Sequence, residues 1–358
     1  MRSLLLVAAL AACSSNPDVP TPDGGSPPGD AAGPTSDGGA TEAGEAGPTN
    51  DAGTGAGLSA KYPGDVGIAS DPSVIWAELF DEGTVGAFTA RYDSAANPPG
   101  MTLVQDLPAK SKSPASIRLT ASGDGANATD FYKRFSTGYD EWYVRWYVKY
   151  DASIAWHHTG VWFGGYNPPT PYPNPQAGLK PNGDDRFSVA MEPVWNVGTA
   201  SAQFDFYNYW MGMHSWMAQP SGSTAYYGNA LVNQTKFSLD ETKWVCVEVH
   251  VKLNSDAASA KDGVLEVWKN DALVSSFTGS GPDGYWIRDK FCTPSADGSE
   301  CTDYPAPFNT VLDLQWRSTL ALQLNYFWPQ NYVTDSGVTG NVGYADMVIA
   351  KERVGCIQ

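Results

Sequence analysis

Near its C-terminus the chain reads Val342-Gly343-Tyr344-Ala345-Asp346-Met347-Val348-Ile349-Ala350-Lys351-Glu352-Arg353-Val354-Gly355-Cys356. A second stretch reads Trp244-Val245-Cys246-Val247-Glu248-Val249-His250. Both stretches alternate apolar and polar residues with the period of a half-buried β-strand. Each also carries a cysteine, so a disulfide could join one strand to the end of the chain. These stretches predict an all-β sandwich in an exported protein.

The first thirteen residues have the features of an export signal. Arg2 precedes the apolar stretch 4–10, which is too short to span a bilayer as a mature helix. The order Leu-Ala-Ala-Cys that ends at Cys13 resembles the lipobox of bacterial lipoproteins, and Ser14 resembles their outer-membrane sorting pattern. The alternative is ordinary cleavage before Cys13, which would leave an unpaired thiol. We expect residues 1–13 to be a lipoprotein signal and Cys13 to carry a lipid anchor at the outer membrane or cell surface.

Residues 14–60 are predicted to form a disordered acidic tether rich in Gly and Pro. They contain seven carboxylates, no Lys or Arg and almost nothing large and apolar, so they bury too little surface to offset chain entropy. The total charge of −17, less one positive charge at Arg2 and seven negative charges in the tether, leaves −11 for residues 61–358. An acidic surface does not suit a phosphate backbone, which argues against nucleic-acid binding.

We expect the protein to be a monomer.

The four remaining cysteines predict two disulfides, because their number is even and the chain is exported. Three pairings are possible. We favour Cys292 with Cys301, which closes a short polar loop, and Cys246 with Cys356, which pins the C-terminus to a central strand. A metal site is a poor alternative because no Cys-x-x-Cys spacing accompanies these residues.

Residues 61–358 are predicted to form one β jelly-roll domain of two antiparallel sheets with long loops. Many short alternating runs are separated by Gly, Pro, Asn and Asp, and long helical periodicity is absent. The excess length lies in loops such as 166–185 and 275–309. The predicted strands are Ser116 to Ala121, Glu141 to Tyr150, Gly160 to Gly164, Phe187 to Pro193, Ala202 to Trp210, Trp244 to Leu253, Gly263 to Lys269, Leu320 to Phe327 and Gly343 to Ala350.

Alternation also predicts which side chains leave the core. In the strand 141–150, the even-numbered residues are apolar and the opposite face is aromatic and cationic. If such outward faces lie on the concave sheet, they form a groove for a ligand. Its expected lining is Tyr143, Arg145, Tyr147 and Lys149, together with Arg186, Gln323 and Asn325 from other strands.

Three stretches carry a family resemblance. They are Tyr143-Val144-Arg145-Trp146-Tyr147-Val148, then Cys246-Val247-Glu248 followed by Asp262-Gly263-Val264-Leu265-Glu266-Val267-Trp268-Lys269-Asn270, and finally Asp346 through Cys356. These stretches resemble the cellulose-induced secreted proteins and glucuronan lyases of the concanavalin-like jelly-roll class, and the layout is similar to that of alginate-lyase-like jelly rolls. The match covers most of residues 74–358 and is weakest over 166–227.

The resemblance implies a structural calcium ion that bridges the two ends of the domain. Asp81 and Asp346 occupy the matching positions, and carboxylates with loop carbonyls supply the hard oxygen ligands that Ca²⁺ prefers. Ala345 replaces the second acidic residue of the family's pair. The alternative is that both aspartates simply end strands.

The resemblance also implies a lyase that cleaves a uronic-acid-containing polysaccharide by β-elimination. Such an enzyme neutralises the uronate carboxylate, removes the proton at C5 and protonates the leaving oxygen. We expect Arg145, assisted by Gln323 and Asn325, to neutralise the carboxylate. His157 or His158 is the expected base and Tyr209 the expected acid, with Tyr143, Tyr147, Lys149 and Arg186 binding the substrate.

Two other functions remain open from the sequence. Thirteen tryptophans would suit a non-catalytic carbohydrate-binding protein of the same fold, since aromatic rings serve as platforms for sugars. A glycoside hydrolase needs two carboxylates across the scissile bond, and the Glu-x-Asp-x-x-Glu spacing of the jelly-roll hydrolases is missing. The hydrolase is the weaker of the two enzyme hypotheses.

Overall fold

The computed structural model describes residues 57–151, 158–173, 177–194, 203–216, 225–238, 242–256 and 260–358. Within these ranges, seventeen strands form two large antiparallel sheets and one small sheet. The all-β jelly-roll sandwich predicted from the sequence is confirmed. The expected signal segment with Cys13, most of the tether, and His157 lie outside the described residues.

The larger sheet has eight strands in the order β12-β11-β10-β6-β17-β4-β3, and β1 pairs with β17. The two cysteine-bearing stretches provide its central strands, as their alternation predicted. Its strands are β1 (Val74–Glu78), β3 (Met101–Val104), β4 (Ser116–Ser122), β6 (Glu141–Tyr150), β10 (Val245–Lys252), β11 (Val264–Lys269), β12 (Ala272–Phe277) and β17 (Thr339–Ala350).

The second sheet has six strands in the order β2-β5-β16-β7-β8-β9. Its members are β2 (Ser94–Ala96), β5 (Ala128–Tyr139), β7 (Gly160–Tyr166), β8 (Arg186–Val194), β9 (Gln203–Phe206) and β16 (Leu324–Tyr332). A small sheet contains β13 (Asp283–Ile287), β14 (Lys290–Cys292) and β15 (Thr310–Val311). The helical segments are α1 (Val85–Thr89), α2 (Ser299–Asp303) and 3-10 turns at Leu58–Ala60, Pro63–Asp65, Ile68–Ser70 and Pro98–Gly100.

The core lies between the two large sheets and is rich in aromatic residues. Trp142 and Trp146 of β6 point inward from the eight-stranded sheet, and Phe163 and Phe327 point inward from the six-stranded sheet. All four are almost completely buried. This packing follows from the period-two alternation of each strand, which sends one face of every sheet into the sandwich.

Both predicted disulfides are present, Cys246 with Cys356 and Cys292 with Cys301. The first joins β10 to the C-terminal segment. Glu248 on the same strand accepts hydrogen bonds from the backbone N–H groups of Val354 and Gly355, at 2.6 and 2.9 Å. The C-terminal segment is therefore held against the outer face of the eight-stranded sheet.

Residues that precede Lys61 also pack against the β-sandwich. The backbone N–H groups of Leu58 and Ser59 donate to the carbonyl oxygens of Arg353 and Val354, at 3.0 and 2.8 Å. Both Leu58 and Ser59 are buried. The segment from Leu58 thus covers the eight-stranded sheet together with the C-terminal segment.

Arg145 forms the centre of a buried polar cluster beneath these two segments. Its side chain is 0% exposed and forms an ion pair with Asp65, which is also 0% exposed. The guanidinium donates in addition to the backbone carbonyl of Asp346 and, at 3.3 Å, to the hydroxyl of Ser59. Arg145 thereby connects β6 to the N-terminal segment and to the β17 residues beside a β-bulge.

One predicted strand, Leu320 to Phe327, is displaced in the structure. β16 begins at Leu324 and continues to Tyr332, while residues 319–322 form a turn stabilised by Thr319. Leu320, the first residue of the predicted strand, is 54% exposed. The turn uses the Thr319 hydroxyl and carbonyl as acceptors, and this local capping overrides the apolar alternation.

None of the helices in the part of the chain that the structure describes is long and apolar enough to cross a membrane.

We expect Arg145→Ala to lower the free energy of unfolding by about 3–5 kcal/mol, because it leaves the Asp65 carboxylate buried without its cation. Urea unfolding of the full chain measures this change. Lys149→Ala is the matched control on the same strand face. Its ion pair with Asp106 is partly exposed, so the loss should stay within about 1 kcal/mol. Equal effects of the two substitutions would contradict the structural role of Arg145.

Candidate functional site

The outward face of the six-stranded sheet carries its side chains in rows that cross the strands. On β7, Val161 and Phe163 point into the core, so Trp162 between them points outward. Trp328 and Ala190 lie opposite Trp162 in the register of the neighbouring strands. The same row continues to Tyr132 on β5 and to Tyr207, the residue after β9. We call Tyr132, Trp328, Trp162, Ala190 and Tyr207 the aromatic row.

A second row lies beside the first and is mainly polar. Gln330 pairs with Asp130 on one side and with Gly160 on the other, and Glu192 pairs with Asp205. A Cβ at Gly160 would come within 2.9 Å of the Glu192 Cβ, which places β7 and β8 in close contact here. The polar row is Asp130, Gln330, Gly160, Glu192 and Asp205. Five strands at their usual spacing make each row roughly 19 Å long.

His158 lies beside the β8 and β9 end of both rows. Its Nδ1 is 2.9 Å from Oε1 of Glu192. Its ring centroid is 4.6 Å from that of Tyr207 and 6.2 Å from that of Trp162. With φ of +56° the His158 backbone is in the left-handed region, where a residue with a side chain is strained and where functional residues are enriched.

The contact with Glu192 determines what the His158 imidazole can do. A carboxylate accepts hydrogen bonds, so Nδ1–H donates to Glu192 and the neutral ring carries its lone pair on Nε2. The His158 side chain is 28% exposed, whereas that of Glu192 is 4% exposed. This arrangement orients the histidine so that Nε2 is the nitrogen that can accept a proton, as a general base requires.

Two buried polar atoms next to His158 lack a protein partner. Oε2 of Glu192 and Nε1 of Trp162 form no hydrogen bond with any of the described residues. Buried polar groups are nearly always paired, so each unpaired one needs a physical explanation, such as a bound water, ion or ligand.

Tyr207 and Tyr209 supply hydroxyl groups on the same side of the site. The pKa of Tyr207 is raised well above its usual value, mainly by burial and to a smaller extent by the neighbouring Tyr209 and Glu192 side chains. Burial likewise raises the pKa of Tyr209. Both hydroxyls therefore stay protonated at neutral pH and can donate. Tyr207 is partly accessible, whereas Tyr209 is 1% exposed.

Asp130 lies at the other end of the polar row. Burial raises the pKa of Asp130 to about 6. A substantial fraction of this carboxyl group is therefore protonated in mildly acidic solution and can donate a hydrogen bond to an anionic ligand. The side chain of Gln330 is the next one along the row.

Asp205 closes the polar row and is structural. Its carboxylate accepts hydrogen bonds from the backbone N–H groups of Leu231, Val232 and Asn233 at 2.7 to 2.9 Å, and from that of Phe206. These bonds hold the 231–233 segment against β9. With its oxygens occupied and the residue 0% exposed, Asp205 cannot serve as a second catalytic carboxylate beside Glu192.

The predicted cationic groove is wrong, because the four residues of β6 that were to line it lie on the other sheet. Tyr143, Arg145, Tyr147 and Lys149 occupy the outer face of β6, and the terminal segments cover much of it. Arg145 is fully buried in its ion pair and cannot contact a substrate. The hydroxyl of Tyr147 accepts a hydrogen bond from the backbone of Ile357 at 2.8 Å.

Two further predicted carboxylate-binding residues are also engaged elsewhere. Asn325 exchanges two hydrogen bonds with the backbone of Tyr166, at 3.0 and 2.8 Å, and is buried. Gln323 donates to Asp140 at 3.1 Å. Their amide groups therefore stabilise the strand ends, and neither joins the rows around His158.

Arg186 lies on the outward face of the six-stranded sheet, apart from the four residues of β6 with which it was expected to form a groove. It is six residues before Glu192 on β8, which places it roughly 20 Å away along the strand. Its guanidinium pairs with Asp185 at 3.1 Å. Of the predicted catalytic residues, the structure brings together His158 and Tyr209. The sequence reasoning missed Tyr207, although period-two alternation places it on the same face as Tyr209.

The two predicted calcium ligands, Asp81 and Asp346, have different surroundings in the structure. Asp81 is mainly exposed and lies 3.9 Å from the guanidinium of Arg91. Asp346 is fully buried and accepts hydrogen bonds from the hydroxyls of Ser111 and Ser113. The cation next to Asp346 is the guanidinium of Arg145. No group of three metal-binding side chains occurs within the described ranges.

His250 belongs to a separate cluster on the outer face of the eight-stranded sheet. Its two ring nitrogens lie 2.8 Å from carboxylate oxygens of Glu266 and Glu141. Its ring stacks on Tyr143 at 4.0 Å between centroids. Burial lowers the pKa of His250, but the hydrogen bonds to the two carboxylates outweigh it and raise the pKa overall. His250 therefore has a structural role, because it connects two carboxylates and a tyrosine on this face.

Comparison with known proteins found no matching family model and no matching curated protein. Among solved structures, the alginate lyase Aly36B is 14% identical, with 76% of this chain and 93% of that chain covered and a TM-score of 0.46. The marine alginate lyase from Aplysia kurodai is 13% identical, with 78% and 99% covered and a TM-score of 0.46. The endo-β-1,4-glucuronan lyase from Trichoderma reesei is 13% identical, with 73% and 91% covered and a TM-score of 0.38.

The His250 cluster predicts a pH-dependent contribution to stability. Because the pKa of folded His250 is raised above 6.5, its contribution is complete below that pH and is lost as the pH rises through the folded pKa. The pKa values of Glu141 and Glu266 are lowered, so their contributions are present above their ordinary values and are lost in acid. His250→Gln should therefore destabilise the protein more at about pH 5.5 than at about pH 9.

Urea unfolding of wild type and variant at both pH values measures this difference. His214→Gln is the control. His214 stacks on Trp286 at 4.0 Å and has no hydrogen-bonded carboxylate among the residues described. Its effect should not decrease as the pH rises. A His250→Gln effect that is constant, or that increases with pH, would contradict the proposed cluster.

Proposed function

We propose that this chain is a polysaccharide lyase that cleaves a uronic-acid-containing glycan by β-elimination, with His158 as the base. The observation that carries the proposal is the contact between His158 and Glu192 beside the tyrosines and the aromatic row. Within that row Trp328 and Tyr207 are partly exposed, and their rings offer faces on which pyranose rings stack.

In this mechanism Gln330 binds the uronate carboxylate, which makes the proton at C5 more acidic. Nε2 of His158 removes that proton, and Glu192 stabilises the resulting imidazolium through Nδ1–H. The electron pair of the C5–H bond forms a double bond between C4 and C5, and the bond from C4 to the glycosidic oxygen breaks. The hydroxyl of Tyr207 protonates that oxygen and then recovers a proton from His158 or solvent.

The site differs from a glycoside hydrolase in its carboxylates. A hydrolase needs two of them, 5 to 9.5 Å apart across the scissile bond. Glu192 is bonded to a histidine, Asp205 is occupied by backbone N–H groups, and Asp130 lies three strands from Glu192 in the row. At the usual strand spacing that separation is roughly 14 Å. A base and an acid built from His and Tyr fit this arrangement better.

The cellular setting proposed for this lyase is the outer membrane or cell surface. The lipobox-like sequence at Cys13 and the acidic tether support a lipid-anchored, extracytoplasmic protein. Two disulfides in the folded part are typical of an oxidising compartment.

The second candidate function is a non-catalytic carbohydrate-binding protein. The aromatic row favours it, because stacking rings bind sugars without any acid or base. The two functions differ in what His158 is needed for. A binding protein requires the rings, whereas a lyase requires the imidazole.

We expect the full chain to increase absorbance in the unsaturated-uronate band with at least one of alginate, glucuronan, pectate or a glycosaminoglycan. His158→Ala should lower kcat at least about 100-fold, since a positioned general base contributes that much or more. Tyr207→Phe should lower kcat by a similar factor, because the phenol provides the proton. Glu192→Gln should lower kcat less, because it keeps the orientation of His158 but not the charge.

Lys149→Ala is the control for this series, since Lys149 lies on the other sheet and should leave the rate unchanged. No absorbance change with any polymer would contradict the lyase, and retardation by one of them in affinity gels would then favour the binding protein. Full activity in His158→Ala would contradict the assigned base.

A further inference from the structure

A chain of aromatic rings extends from the candidate site toward the molecular surface. Tyr207 and Tyr209 lie 5.6 Å apart between ring centroids. Gly228 packs on Tyr207 so closely that a Cβ there would come within 2.2 Å of a ring carbon. The residue before it, Tyr227, lies 6.0 Å from Trp216 between centroids. The segment 225–229 therefore carries the aromatic surface outward from His158 to Trp216.

Trp216 is one of the most exposed large aromatic side chains among the described residues, at 43%. Its neighbour Tyr227 is partly exposed. The backbone beneath them is firmly held, because Asn229 bonds both the N–H and the carbonyl of His214, at 2.7 and 2.8 Å. A rigidly supported exposed ring pair is well suited to stacking, since little conformational entropy is lost on binding.

A cation accompanies this ring pair. Lys180 lies 5.6 Å above the ring of Tyr226, the residue before Tyr227. The backbone N–H of Gly178 donates to the carbonyl of Tyr226 at 2.8 Å, which fixes the segment that carries Lys180. The folded part has a net charge of −11, so Lys180 is a local positive charge on an acidic domain. Its charge complements a carboxylate.

We propose that Trp216, Tyr227 and Lys180 form a glycan-binding subsite beyond the reacting centre, at which a uronate unit of the bound chain stacks on the Trp216 ring and pairs its carboxylate with Lys180. The inference rests on the proposed function for its substrate class. The subsite is continuous with the catalytic tyrosines through residues 225–229. It adds affinity for long chains and takes no part in the chemical step.

Affinity gels test the subsite without any turnover. The full chain carrying His158→Ala is run through gels that contain alginate or glucuronan, and through gels that contain a neutral β-glucan. We expect Trp216→Ala to weaken retardation by the uronate polymer roughly five- to tenfold, from the loss of a stacking partner. Lys180→Gln should weaken retardation by the uronate polymer and leave the neutral glucan unaffected.

Tyr304→Ala is the matched control. Tyr304 is 68% exposed and lies beside α2, outside the ring chain, so its removal should leave retardation unchanged. In the active protein, Trp216→Ala should raise KM for the polymer with kcat unchanged, because the ring contributes equally to ground-state and transition-state binding.

The outcomes separate the subsite from the lyase. Retardation that depends on Trp216, without cleavage of any polymer, would support the subsite and contradict the lyase. Cleavage with retardation and KM unchanged in Trp216→Ala would overturn the subsite and leave the lyase in place. Absence of retardation in every gel would overturn the subsite.

Discussion

The hydrogen-bond register of the six-stranded sheet is the constraint on which the candidate site depends. In a sheet, side chains that lie opposite each other on adjacent strands share a face, and a shift of one residue would send every one of them to the other face. The register between β16, β7 and β8 places Trp328, Trp162 and Ala190 in line. The same register brings Glu192 to the position where His158 can bond to it.

The two large sheets differ in what covers their outer faces. The segment from Leu58 and the C-terminal segment lie against the eight-stranded sheet, where Arg145 and Glu248 bind them through charged groups. A buried arginine paired with a buried aspartate fixes the position of these segments, and removing either partner would leave an uncompensated charge. The outer face of the eight-stranded sheet thus binds the two terminal segments. On the other sheet, His158, Tyr207 and Trp328 remain partly accessible.

The sequence predicts the fold well and the site only in part. Alternation in β6, β10 and β17 identifies central strands because both the apolar period and the length are unambiguous. β5 was missed, since Lys133 and Arg134 interrupt its pattern. Alternation also showed that Arg145 leaves the core, but not that Asp65, some 80 residues earlier, would cover it. A sequence pattern distinguishes the two faces of a strand, whereas the choice between solvent and a covering segment depends on distant contacts.

The central claim is that sugars bind along the aromatic row with the reacting unit at His158. The most direct measurement is a crystal structure of the His158→Ala variant with a uronate oligosaccharide. We expect pyranose rings over Trp328 and Tyr207, with C5 of one uronate directed at residue 158 and its carboxylate near Gln330. An oligosaccharide bound on the outer face of the eight-stranded sheet, away from residue 158, would contradict this account.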